Sequence, residues 1–197
     1  MKVNRLRALV AAVMPATAHA HCDTADGPAV ADGRRALDVA NVNHALKWIP
    51  ADGEAELRSA FEEAQKARAL GAATEQADQL FLEALVRLHR HGEGVGFTGI
   101  QPTGTAIDPV VKAADAALVL GSTAELLPLV PEERRAELDR RFLEALTRAD
   151  HDVDDVEAGR RYLAAYVDFF KYAEGEEHEH HAHADGALNA HAHSCGH

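Results

Sequence analysis

The chain has 197 residues with 32 acidic against 20 basic side chains, and its formal charge of −12 excludes the basic face that nucleic-acid phosphates require. That length allows one domain with a real core, and no stretch approaches the ~20 apolar residues that span a bilayer. The two cysteines, Cys22 and Cys195, stand at opposite ends of the chain, so they specify no framework disulfide and leave metal ligation or a free thiol open.

Residues 1–20 read as a signal peptide. Lys2, Arg5 and Arg7 precede a short apolar run from Ala8 to Val13, and Ala18-His19-Ala20 puts small residues at the two positions a signal peptidase reads. Cleavage after Ala20 removes three basic groups and no acidic one, which takes the charge to about −15. The expected location is secreted, periplasmic or cell envelope. His21 would then be the amino terminus, so that an α-amine, an imidazole and the Cys22 thiol stand side by side, with Asp23 next. Those donors suit Zn²⁺, Ni²⁺ or Cu.

Pro28 opens a short helix to about Asp38, and a second segment, Val42 to Ile49, ends before Pro50. A long helix follows from about Asp52 to Leu70, with Leu57, Phe61 and Ala64 at three- and four-residue spacing, and Gly71 punctuates it. The next helix, about Thr74 to Arg90, carries a stripe through Leu80, Phe81, Leu85, Val86, Leu88 and His89. A glycine-rich loop from His91 to Gly104 either joins two units or wraps over a site, and Glu93 adds a carboxylate there. It is not a phosphate loop, since no Gly-Lys-Ser/Thr ending is present.

Residues 28–90 slide onto 109–171 at a constant offset of 81 without a gap. Pro28 meets Pro109, Pro50 meets Pro131, Ala55-Glu56-Leu57 meets Ala136-Glu137-Leu138, and Phe61 meets Phe142. The second copy repeats the helices at roughly 109–120, 123–130, 132–149 and 152–173. No segment alternates with a two-residue period. The expected fold is therefore all-α: a compact domain at 21–174, built from two tandem copies of a four-helix unit in a pseudo-two-fold relation.

Each copy serves as a control for the other. His89 stands opposite Phe170 and Glu83 opposite Ala164, so an imidazole and a carboxylate occupy places where the twin helix uses Phe and Ala. Burying such groups costs free energy unless they are paired or bind a metal. A structural alternative pairs Glu83 with Arg87 and leaves His89 as a satisfied core histidine.

Residues 175–197 hold His178, His180, His181, His183, His191, His193 and His197 among acidic and small residues, a composition expected to be disordered and to bind metal weakly. Taken together, the residues point to a transition-metal-binding protein for metal buffering, sensing or handling. Its candidate ligands are His21, Cys22, Asp23, Glu83, His89 and Glu93, with the tail as a loading arm. Two alternatives stand beside it. One is a metalloenzyme, redox or hydrolytic, using the same residues; the other is a metal-free interaction module.

His21-Cys22-Asp23-Thr24, Asp26-Gly27-Pro28, the run Glu83-x-Leu85-Val86-Arg87-x-His89-Arg90-x-Gly92-Glu93-Gly94, and Phe97-Thr98-Gly99 together resemble the bacterial domain family DUF6448. The resemblance covers most of the chain after residue 20. It implies that the His-Cys-Asp segment and the segment from His89 to Gly99 are signature regions, and it carries no activity. A second, much shorter resemblance, His21-Cys22-Asp23 alone, is to nickel superoxide dismutase, whose mature chain opens His-Cys-Asp and holds nickel through amine, amide and two thiolates. Here Asp26 stands where the second thiolate would be.

Overall fold

The computed structural model describes residues 21–175. The segment 1–20 expected to be a signal peptide, the tail histidines and any pairing of Cys195 fall outside the described residues. Among those residues the chain is all-helical, with no strand: α1 (Pro28–Val39), α2 (Asn43–Leu46), α3 (Glu54–Leu70), α4 (Thr74–Gly92), α5 (Pro109–Leu120), α6 (Arg135–Ala149) and α7 (Val156–Glu174). Two residues outside the helices form an isolated parallel bridge, Thr24 to Gln101.

Local chemistry sets the helix ends. Pro28 and Pro109 open α1 and α5, where a missing N–H costs nothing. The Asp108 carboxylate caps α5 by accepting from Val110 N. Gly71 and Gly121 close α3 and α5 in the left-handed region.

Two expectations need correction. The segment 123–130 is not a continuous helix but turns followed by a 3₁₀ stretch, Leu127–Leu129, with Pro128 inside it removing a backbone donor. The last helix begins at Val156 rather than about 152. Asp152 accepts from Asp154 N in a local turn, and Asp155 caps Ala158 N, the competing side-chain bonds that start a helix late.

α4 packs against α3 and α1, and α7 packs against α6 and α5. Gly33 lets α1 approach α4 closely, since a Cβ there would lie 2.7 Å from Leu82 and Leu85 methyls. Phe61 meets Phe81 and Phe142 meets Phe169 at ring centroid separations of 5.6 Å, inside a single core that also contains Leu46, Leu57, Leu85, Leu126 and Leu138. Leu80 leaves the expected stripe and is exposed. It lies about 100° around α4 from Phe81, which takes the inward place.

Polar contacts tie α7 and its approach to the first helices. Arg160 donates to the Leu46 and Ile49 carbonyls and to Glu54, and Asp154 accepts from the Asn41 and Asn43 amides. The segment preceding α1 enters between α4, α5 and α7, and this places the residues singled out by the sequence.

Candidate functional site

Residues 21–27 form a tight strap. The Thr24 hydroxyl donates to His21 O at 3.3 Å and Gly27 N donates to Thr24 O at 2.8 Å. Only glycine fits position 27, because a Cβ would lie 2.4 Å from His21 O and 3.0 Å from Cys22 O. The glycine-rich loop lies against the strap: Gln101 N donates to Asp23 O at 2.9 Å and Ala25 N to Gln101 O at 2.8 Å. Arg90 completes the attachment by pairing with Asp23 and donating to Gly96 O at 2.6 Å. His21, Cys22 and Asp23 are each at most 5% exposed.

His21 sits in a polar niche. Its Nε2 is 2.7 Å from Asp115 Oδ2 and 3.2 Å from the Tyr166 hydroxyl. That hydroxyl donates to Asp115 Oδ1 at 2.7 Å. An ionised carboxylate only accepts, so the network assigns the ring proton to Nε2. Nδ1, buried, has no hydrogen-bond partner.

His89 repeats the pattern from α4. Its Nδ1 lies 2.9 Å from Trp48 O, a carbonyl that can only accept, while Nε2 is buried without a hydrogen-bond partner. Glu93 Oε1, one turn on, is 3.7 Å from that nitrogen. Each histidine thus has one nitrogen held by an acceptor and the other bare. Leaving such an atom without a partner costs about 1–3 kcal/mol, and an ion or ordered water is the usual compensation.

Cys22 lies in the same electrostatic field. Burial pushes its thiol well above the ordinary range, and Glu93, Asp23 and Asp115 push the same way against Lys171. Carboxylates that oppose a thiolate favour a cation, and a cation bound by the sulfur would displace the proton. Asp23 Oδ1 is also buried without a hydrogen-bond partner.

The structure therefore brings His21, Cys22 and Asp23 into one buried strap, with Glu93 and Asp115 acting on the thiol and His89 beside Glu93. Glu83 is bonded elsewhere: it accepts from Gln79 at 2.9 Å, and Arg87, its partner in the structural alternative, pairs with Glu56. Among the described residues, no three His, Cys, Asp or Glu side chains are gathered closely enough to hold a metal ion.

Two clefts flank the strap and share Lys47, Trp48 and Leu163 in their walls. One, of about 400 Å³, reaches His89, Glu93 and Lys171. The other, of about 420 Å³, reaches His21, Asp115, Tyr162 and Tyr166.

The sequence reading missed Asp115, Tyr166 and Trp48. The alignment at offset 81 contained a signal for Tyr166, which stands opposite Leu85. It contained none for Asp115, whose counterpart Arg34 is also charged.

A family model described as a family of unknown function, DUF6448, matches residues 26–172. The match includes Glu83, His89 and Glu93 and begins after His21-Cys22-Asp23. No curated protein and no solved structure matches the chain. No helix among the described residues is long and apolar enough to cross a membrane.

Proposed function

The chain belongs to the DUF6448 family, whose function is unknown, and from its own residues we propose that it is a secreted or envelope protein that binds a transition metal. The observation that carries this reading is the matched state of two histidines. His21 is backed by Asp115 and His89 by the Trp48 carbonyl, and in each the far nitrogen is buried without a hydrogen-bond partner, that of His89 facing Glu93 Oε1 at 3.7 Å. Metal-binding imidazoles are held in this way, one nitrogen donating to a carboxylate or carbonyl and the other facing the ion. Cys22, as thiolate, would be the third donor, with Asp23 and Glu93 as neighbouring carboxylates. Zn²⁺, Ni²⁺ and Cu all suit imidazole with thiolate. Because the donors are not gathered in one sphere, uptake requires the strap and α4 to draw together, which fits buffering or handling better than a rigid catalytic centre.

We also read the domain as two tandem units in a pseudo-two-fold relation. In support, α1 and α5, the 3₁₀ turns before α3 and α6, and α3 and α6 themselves all begin 81 residues apart. The strap then enters where the two units meet.

The ungathered donors favour a second reading, a metal-free binding module in which water occupies the bare nitrogens. Elemental analysis separates the two. The chain with all seven tail histidines changed to Gln should carry or take up close to one equivalent of Zn²⁺, Ni²⁺ or Cu²⁺, and lose it in Cys22→Ala. No uptake of any of the three metals overturns the metal reading.

A further inference from the structure

The cleft beside His21 has a chemistry of its own. Its walls come from the strap, α1, the turn after α2, α5 and α7, and its volume of about 420 Å³ falls within the range of small-molecule sites. Trp48, Tyr162 and Tyr166 supply aromatic faces. Lys47 already seats an ammonium there: its Nζ lies 2.9 Å from Asp32 Oδ2 and 5.9 Å from the Tyr162 ring centroid. Trp48 Nε1 donates to the same Asp32 oxygen at 2.7 Å, so the Lys47 ammonium and the Trp48 indole share Oδ2 of Asp32.

Two further carboxylates line the cleft, Asp26 and Asp115. Asp115 uses one lone pair on each oxygen for Tyr166 and His21. A second remains on each, and a third of the side chain is open to solvent. Asp26 is exposed. Lys47 balances Asp32, which leaves the two carboxylates, Asp115 and an Asp26 that accepts from Gly104 N and feels Lys112, among lining residues that include the apolar Leu118, Val119 and Leu163. Aromatic faces attract ammonium groups, and a single carboxylate suffices to pair with each one. Hard divalent ions instead require several oxygen ligands.

We propose that this cleft binds a small aliphatic diamine, one ammonium on Asp115 between the Trp48 and tyrosine rings, the other on Asp26, and the methylenes against Leu118 and Val119. This goes beyond the metal reading and does not depend on it.

The test uses the full chain in EDTA, so that metal plays no part. 1,4-Diaminobutane is titrated while the emission of Trp48, the single tryptophan, is followed, with calorimetry in parallel. A saturable response is expected, with butylamine at least tenfold weaker and MgCl₂ at matched ionic strength giving no saturable change. Asp115→Asn and Val119→Arg should each weaken binding at least tenfold. Val119 is 86% exposed, so its variant folds and keeps the test decisive if Asp115→Asn does not. The proposal is overturned by no saturable signal in either method, by Mg²⁺ matching the diamine, or by undiminished binding in Val119→Arg.

Discussion

Asp115 on α5 holds His21 of the strap through a 2.7 Å contact to Nε2 while its other oxygen takes the Tyr166 hydroxyl at the same distance. A carboxylate behind an imidazole fixes the ring and strengthens the far nitrogen as a donor. Asp115→Asn should therefore lower Zn²⁺ affinity about 10–100-fold. Tyr166→Phe keeps the Asp115–His21 contact and should cost about 1 kcal/mol of stability while changing affinity little. Chelator competition, with the tail histidines changed to Gln, measures both. Equal losses in the two variants would show that the carboxylate has no special part.

The Cys22 thiol titrates above its ordinary range because it is buried among carboxylates. The native state thus keeps a proton that the unfolded chain releases above about pH 8.5. Its contribution to stability is full below that pH and is lost as pH rises towards the folded value. Tyr166, raised by burial and by Cys22 and Asp115, adds a loss of the same sign above about pH 10. Urea midpoints should fall from pH 8.5 to 10 in the native sequence and fall less steeply in Cys22→Ala. Parallel profiles would show that Cys22 is not the group responsible.

Gly27 turns the strap so tightly that a Cβ would meet the His21 carbonyl at 2.4 Å and the Thr24 hydroxyl at 2.8 Å. The nearest of these is backbone and cannot swing aside. Gly27→Ala should cost about 1–3 kcal/mol, the usual penalty of overpacking, and displace His21 and Cys22. In a Cys195→Ser background, iodoacetamide should label Cys22 much faster in the Gly27→Ala variant than in its parent. Unchanged labelling would mean that the strap tolerates the extra carbon.

Helix positions were legible in the sequence because Pro28, Pro50, Gly71 and Pro109 mark boundaries by backbone chemistry alone. The start of α7 was not, since Asp152 and Asp155 form a turn and a cap whose bonds depend on local geometry. Within the site, His89 was visible because its twin position is Phe170. Its inward direction is borne out by burial to 8% exposure. The partners of His21 were not visible. Asp115 and Tyr166 lie more than 90 residues away in sequence, and nothing in either neighbourhood indicates that α5 and α7 close around the strap.

Asp23 is buried with one oxygen on Arg90, whose guanidinium also reaches Gly96 O. Removing one member of such a pair leaves a buried charge, which typically costs about 3–5 kcal/mol. Arg90→Met should lose that much, while the double change Asp23→Asn with Arg90→Met recovers part of it because no uncompensated charge remains. A double-mutant cycle by urea unfolding reads the coupling directly. Additive losses would mean that Asp23 and Arg90 act separately.

The sharpest test of the metal reading exploits Phe170, the residue 81 positions after His89 on the other long helix. Phe170 is a buried phenyl ring there, and His89→Phe removes the Nε2 and the Nδ1 contact to Trp48 O while keeping a ring of similar size at the position. Burying a hydrocarbon in place of an unpartnered polar atom offsets the lost hydrogen bond, and stability should stay within about 1 kcal/mol of the parent. Zn²⁺ uptake by the chain lacking tail histidines should nevertheless disappear. His89→Gln keeps a polar side chain and should also lose uptake, since an amide is a poor substitute for an imidazole at a transition metal. If both variants take up metal as the parent does, His89 is a packing residue, and the ligand set must be sought at the strap alone.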